Sequence, residues 1–299
     1  MVINKVEKNL NCINLDFINT WVYKNDKLCF LVDPGPAVTI NLLKKSLDQL
    51  KIKRNDLNYI LLTHPHIDHA GGVGKLLTSF PQAKIICHPR GIKHLIDPKK
   101  LWEGSLKVLG RAAEYYGRIK PVSEDRIEYK ENIEGNLIRA IETLGHSPHH
   151  QSYPFKHILF VGEACGHNYP TEKEIHIRPA TPPIFDYDLY TSSIQKLIDL
   201  KLSDFKICFP HWGIRKNAAL IINIAYNQIN TWLRVINSYY DKRNQSNFLE
   251  LVFNELKIAD KIFGNLELLS QEKQIRDPIT IRQSVAGIVG YIEKKIKES

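Results

Sequence analysis

Short apolar runs bounded by turn residues recur through the first two-thirds of the chain: Leu28–Val32, Tyr59–Leu62, Ile85–Cys87, Leu137–Ile141, Ile158–Val161 and Phe205–Phe209. Their lengths and their Ile, Val and Phe content suit strands. Helical patterns lie between some of them. Ile40–Leu50 has apolar positions at 40, 43, 47 and 50. In Asp186–Leu200 an N-cap at Asp186 precedes Tyr190, Ile194, Leu197 and Ile198 at i, i+4, i+7 and i+8. Strands alternating with helices predict a layered α/β or α+β domain.

After Gly213 the texture changes to helical stripes, first Leu220, Ile221, Ile224, Tyr226, Ile229, Trp232, Leu233 and Ile236, later Ile288, Tyr291, Ile292 and Ile296. The pattern predicts a main domain over 1–214 and a helical C-terminal extension over 215–299. Gly91–Gly117 also reads as mostly helical and carries Trp102, Tyr115 and Tyr116, as a flap over the preceding strands would. No internal repeat or low-complexity tract is visible. No run approaches eighteen apolar residues, and Lys5, Glu7 and Lys8 stand where a signal peptide would be apolar, so the expected setting is cytoplasmic, without a membrane partner.

Composition adds little to that picture. Among 299 residues, 43% are hydrophobic and 24% charged, which excludes disorder and collagen-like repeats. Five single cysteines, with no CxxC pair, read as reduced buried thiols. The net charge of +9 raises the question of nucleic acid. It is spread, however: residues 215–299 hold 13 positive against 9 negative charges, and the densest cluster (Lys44, Lys45, Lys51, Lys53, Arg54) is interrupted by Asp48. A solvated helix face accounts for it, and the expectation is a small-molecule substrate and no nucleic acid.

The chemistry concentrates in Tyr59-Ile60-Leu61-Leu62-Thr63-His64-Pro65-His66-Ile67-Asp68-His69-Ala70-Gly71-Gly72. A strand runs directly into three histidines and an aspartate within six residues, then into paired glycines that open a helix. Packing has no use for four ligand-type side chains in six positions. Imidazole and carboxylate groups crowded at a strand end suit a divalent metal, with zinc or iron the first choices.

This stretch resembles the His-x-His-x-Asp-His signature of the metallo-β-lactamase superfamily, and further motifs follow in the family's order. Leu144-Gly145-His146-Ser147-Pro148-His149-His150 is similar to its third motif. His157-Ile158-Leu159-Phe160-Val161-Gly162-Glu163 is similar to the strand ending in a bridging carboxylate, and Phe209-Pro210-His211-Trp212-Gly213 to the strand delivering the last histidine. Upstream, Leu31-Val32-Asp33-Pro34-Gly35 matches a buttressing Asp-x-Gly turn. The resemblance covers roughly residues 1–214 and implies an α+β fold, the four-layer αββα sandwich, with the helical extension appended.

It also implies a ligand set. His64, His66 and His146 would hold one metal, and Asp68, His69 and His211 the second, zinc by preference with iron or manganese as alternatives. The family normally bridges the two with Asp, whereas this chain has Glu163. The extra methylene moves the carboxylate by about 1.5 Å, while metal–oxygen distances tolerate only about ±0.2 Å. The backbone must retreat, the side chain must fold back, or the carboxylate must bind one metal alone. Cys165 reads either as a soft ligand or as a small buried thiol, His149 and His150 as outer groups or loop residues, and His88 as a carboxylate partner or a cap. His94, His167 and His176 show no chemical pattern.

The implied activity is that of a dinuclear metal-dependent hydrolase using a metal-bound hydroxide on a small ester, lactone or thioester, with Asp68 as the catalytic residue that orients the nucleophile and takes up its proton. Pro65 stands where glyoxalase II-type thioesterases usually have His. Gly166 stands where homoserine lactonases often have a Tyr, with Tyr169 near enough to replace it. The alternative is a mononuclear iron oxygenase resembling persulfide dioxygenases, or a non-catalytic member of the fold. Trp102, Tyr115, Tyr116, Tyr169, His176, Trp212 and Arg178 are candidate pocket residues, Arg178 either offering its guanidinium to a substrate carboxylate or lying as a surface residue before a proline-rich loop.

Overall fold

A computed structural model describes residues 2–16, 18–169, 171 and 174–298, with the backbone alone over 271–279. The chain divides into two compact units, Met1–Ile141 with Tyr153–Lys156, and Glu142–Ser152 with His157–Ser299.

The first unit is built on one seven-stranded sheet: β1 (Val2–Glu7), β2 (Leu10–Asn14), β3 (Asn19–Lys24), β4 (Cys29–Val32), β5 (Tyr59–Leu61), β6 (Lys84–Ile86) and β7 (Ile127–Glu128), adjacent in that order. The first four form an antiparallel meander, and β4 to β7 run parallel. The parallel strands are short and almost wholly apolar because both faces are covered. Cys29, Leu31, Ile60 and Ile85 join one core with Ile40, Leu43 and Leu47 of α1 (Ile40–Gln49), and α2 (Ile67–Ala70) and α3 (Val73–Leu76) contribute Ala70, Val73 and Leu76. The intervening residues point the other way, where Phe30 meets Tyr23 and Phe155 with ring centroids 5.4 and 5.0 Å away.

The predicted flap is helical: α4 (Pro89–Ile96), α5 (Lys99–Leu109) and α6 (Arg111–Tyr116). Trp102 lies half-buried in a small cluster with Ile67, Ala113 and Ile119, so it packs the flap onto the start of α2. The Leu137–Ile141 run is split between two short strands. After β8 (Asn132–Ile133) come β9 (Ile138–Arg139) and β10 (Ile141–Glu142), and β11 (Gln151–Phe155) pairs with β9 through Phe155 and Ile138.

In the second unit β12 (Ile158–Phe160) runs parallel to β15 (Lys206–Phe209), which turns back into β16 (Gly213–Arg215). A separate hairpin joins β13 (His167–Tyr169) to β14 (His176–Arg178). Asp186 caps α7 (Tyr187–Asp199), its carboxylate accepting from the Leu189 N–H at 3.1 Å, as the sequence pattern predicts. The stripes beyond Gly213 form α8 (Ala218–Ser238), α9 (Phe248–Ala259), α10 (Lys261–Gly264) and α11 (Gln271–Glu298). Their apolar faces share one core with Leu159, Val161, Ile207 and Phe209. Buried polar groups link these helices to the hairpin: Gln228 donates to the Ile177 carbonyl and to Asp260, and the Trp232 indole N–H donates to the same carboxylate. Among the described residues no helix is long and apolar enough to cross a membrane.

Tyr153, fully buried, sends its hydroxyl to the Leu62 and Ile86 carbonyls at 2.8 and 3.2 Å, clamping the C-terminal ends of β5 and β6. Tyr153→Phe leaves those carbonyls one donor short in a dry setting. Urea unfolding should show a loss of about 1–2 kcal/mol; an unchanged midpoint would show that the clamp carries no stability.

Candidate metal centre

In both units the ligand-type residues sit just past the carboxyl ends of parallel strands, where backbone groups no longer pair with a neighbour and side chains converge. Asp33 follows β4, His64 follows β5 and His88 follows β6, while Glu163 follows β12 and His211 follows β15.

In the first unit β5 runs into a turn closed by the His66 carbonyl, which accepts from the N–H groups of His69 and Ala70 at 3.0 and 2.8 Å. The short helix α2 therefore places Asp68 and His69 directly after His66. The His64 ring centroid lies 4.3 Å from that of His66 and 4.1 Å from that of His69. His64 Nε2 is 2.8 Å from His66 Nδ1, and His69 Nε2 is 3.5 Å from an Asp68 oxygen. Four ligand-type side chains thus form one crowded set.

The buried Asp33 carboxylate orders this set. It accepts from the Thr63 N–H at 2.8 Å, from the Thr63 hydroxyl at 2.7 Å and from His69 Nδ1 at 2.9 Å. A carboxylate can only accept, so His69 carries its proton on Nδ1 and turns the lone pair of Nε2 toward Asp68. The Thr63 hydroxyl spends its one hydrogen on Asp33 and so accepts from His64 Nδ1, 3.0 Å away. His64 is thereby set in the same tautomer, with Nε2 toward His66.

The second unit repeats the device with a backbone carbonyl. His146 Nδ1 donates to the Ala180 carbonyl at 2.8 Å, which leaves Nε2 as an acceptor, 3.0 Å from Glu163 Oε2. Two lone-pair atoms at that distance call for a proton or a cation between them. Glu163 Oε1 lies 3.5 Å from His211 Nε2, so the carboxylate turns one oxygen toward each histidine. Within each unit the structure brings together the expected residues: His64, His66, Asp68 and His69 in one, His146, Glu163 and His211 in the other. All are nitrogen and oxygen donors of the kind that bind borderline or hard divalent ions, and the outer partners fit such ions by exposing Nε2.

Several residues have roles that the sequence left open or missed. His150 accepts from the Glu163 N–H at 3.0 Å and meets the Thr143 hydroxyl, so it fixes the turn that carries Glu163. His88 accepts from the Arg90 N–H and caps α4. Cys165 is buried in the apolar core with Val161, Ile177 and Ile194, and among the described residues it joins none of the groups that could hold a metal ion. Arg178 is not a surface residue free to meet substrate: it is fully buried and donates within the protein. Tyr169, stacked on Trp212, uses its hydroxyl to accept from Arg178.

The residue that sequence reasoning missed is His167. Gly166, at φ +77°, turns the chain so that His167 returns to Glu163, with Nε2 2.7 Å from Oε1, and Glu163, His167 and His211 form one compact group. The i,i+4 spacing of Glu163 and His167 was the only signal available. Burial, joined by the Arg178 charge, pushes the His167 pKa down to about 4 against the pull of Glu163.

A family model described as the metallo-beta-lactamase superfamily matches residues 13–211. A metallo-beta-lactamase fold-containing protein of Sulfurisphaera tokodaii is 33% identical over 208 residues, spanning 67% of this chain and 74% of that one. Its crystal structure superposes with a TM-score of 0.59, covering 71% of this chain and 80% of that chain. A metallo-beta-lactamase family protein of Thermus thermophilus gives a TM-score of 0.65 at 17% identity, covering 90% and 95% of the two chains. A hydroxyacylglutathione hydrolase of Aeromonas salmonicida is 32% identical over 143 residues, which is 48% of this chain and 44% of that enzyme.

Asp33→Asn removes an acceptor from the set that orders His64 and His69, and zinc affinity should fall about 10–100-fold. Competition against a chromophoric chelator measures it, and wild-type affinity would refute the ordering role. Because the folded His167 pKa lies below its unfolded value of about 6.5, its neutral form contributes stability that is fully present above pH 6.5 and is lost as pH falls toward about 4. In metal-free protein, His167→Gln should flatten the unfolding midpoint across that window; an unchanged slope would show that His167 does not titrate there.

Proposed function

The chain belongs to the metallo-β-lactamase superfamily, and we propose that it is a dinuclear metal-dependent hydrolase acting on a small ester, lactone or thioester in the cytoplasm. Residues 1–214 form the family domain in this reading, and 215–299 the extension. By the family's motif order His64, His66 and His146 would hold one divalent ion and Asp68, His69 and His211 the other, with Glu163 as a further carboxylate ligand and zinc the first choice.

One observation carries the proposal. His64, His69 and His146 each have Nδ1 engaged by an oxygen acceptor, so that Nε2 is turned to a neighbouring ligand-type atom. Structural histidines have no need of such uniform orientation, whereas carboxylate–histidine and carbonyl–histidine pairs are the usual outer partners of metal ligands. A thioester is favoured among substrates by the hydroxyacylglutathione hydrolase relative, although the chain spans less than half of that enzyme's length.

When bound, the ions supply Lewis acidity and a strong nucleophile at neutral pH. The protein supplies the rest. In this reading Asp68, on the first turn of α2 and partly exposed, would orient a water and accept its proton. Asp33 and Ala180 keep the imidazoles from rotating as charge develops.

Purified protein should contain two equivalents of metal and hydrolyse one class in a panel of thioesters, lactones and phosphodiesters, with activity lost on chelation and restored by zinc. Asp68→Ala should cut turnover at least about 10²-fold. Turnover that survives chelation would overturn the proposal, and one iron with oxygen consumption would transfer it to an oxygenase.

A further inference from the structure

His167 is adjacent to the proposed ligands yet oriented away from ligand duty. An arginine side chain has donors only. Arg178 Nη2 lies 2.9 Å from His167 Nδ1, so Nδ1 accepts and the ring proton resides on Nε2, which donates to Glu163 Oε1. The guanidinium blocks one ring nitrogen and the carboxylate engages the other. His167 is therefore an outer partner of Glu163. Glu has one more rotatable bond than Asp, and a fixed N–H donor on Oε1 removes the freedom that bond introduces, leaving Oε2 directed at His146.

Arg178 is in turn held from the C-terminal helix. The two hydrogens of its Nη2 are shared among His167 Nδ1, the Thr280 hydroxyl at 2.6 Å and the Tyr169 hydroxyl at 3.1 Å, and Nη1 reaches the Ser284 hydroxyl at 3.4 Å and the Pro179 carbonyl at 3.2 Å. Thr280 and Ser284 are one turn apart on α11 and so share a face. The Ser284 hydroxyl donates to the Pro179 carbonyl at 3.0 Å, and its backbone carbonyl accepts from the Thr181 hydroxyl at 2.9 Å. Gly287 lets the helix press this close, since a Cβ there would collide with the Thr181 carbonyl. The segment so gripped, Arg178 to Thr181, supplies both the donor that sets His167 and the Ala180 carbonyl that sets His146. Thr280, Ser284 and Gly287 all lie beyond the family match, which ends at residue 211.

We propose that Arg178 and His167 are positioning residues for the metal centre and that α11 holds them in place, so that a helix outside the family domain sets how tightly the Glu163 side of the centre binds its ion. The inference rests on the metal-dependent reading above. It assigns the extension a role in metal binding, and it gives Glu163 a fixed N–H donor on Oε1.

The test is zinc titration against a chromophoric chelator, with cobalt(II) absorption spectra, on full-length wild type, His167→Leu, His167→Gln and Thr280→Val. His167→Leu should lower the affinity for one equivalent about 10–100-fold and shift the cobalt bands. His167→Gln keeps an N–H for Glu163 and an oxygen for Arg178, and should restore most of both. Thr280→Val should shift both in the same direction as His167→Leu, though less. Wild-type affinity and spectra in Thr280→Val and in folded His167→Leu would overturn the inference while leaving the metal reading intact. If His167→Leu does not fold, Thr280→Val and His167→Gln decide: an unperturbed Thr280→Val overturns the inference, as does a His167→Gln variant as weak as one lacking the donor. Wild-type protein that binds no zinc would overturn the metal reading first, and the inference with it.

Discussion

The buried carboxylate of Asp33 is the constraint on which the first half of the site depends. An isolated carboxylate in such a setting is costly, and this one is satisfied by the Thr63 N–H, the Thr63 hydroxyl and His69 Nδ1. Its backbone is fastened as well: the Asp33 N–H donates to the Leu61 carbonyl and its carbonyl accepts from the Thr20 hydroxyl, in a left-handed conformation at φ +50°. The turn that follows is pinned to α2, with the Gly35 N–H on the His69 carbonyl and the Gly72 N–H on the Gly35 carbonyl. One residue thus binds two strand ends and a helix and sets the protons of two imidazoles.

The second unit reaches the same end by a longer route. Ala180 orients His146, His150 anchors the turn carrying Glu163, and Arg178 sets His167. The contacts come from a hairpin and a segment that α11 grips, so the order of this half depends on helices far downstream in sequence. In both halves the scheme is the same. An imidazole has two nitrogens, and a partner on one decides what the other can do.

Much of this was legible in the sequence. The strands and the helices beginning at Ile40 and Tyr187 follow directly from apolar spacing, and Asp186 caps α7 because an Asp before an amphipathic run satisfies an otherwise orphaned N–H. The residues proposed as ligands stand out in the sequence because motif order is a linear property. What stayed hidden depended on contacts between distant segments. The sequence Ile177-Arg178-Pro179 looks like a surface loop, and only the folded chain surrounds that arginine with Tyr169, Thr280 and Ser284. His167 carried no pattern because its meaning comes from Glu163 on one side and Arg178 on the other. In β1 and β2, Asn, Lys and Glu, residue types depleted in strands, interrupt the apolar positions, whereas Thr20-Trp21-Val22-Tyr23 of β3 is rich in strand formers and was legible but not used.

Outer partners thus select the nitrogen that each histidine offers to a metal ion. An anomalous-diffraction crystal structure of the zinc-loaded protein would show that choice atom by atom. The expected result is Nε2 of His69 and of His146 about 2.0–2.1 Å from an ion, with Nδ1 still bonded to Asp33 in the first and to the Ala180 carbonyl in the second. Coordination through Nδ1 of either residue, or zinc bound away from both, would show that the outer partners do not make this choice.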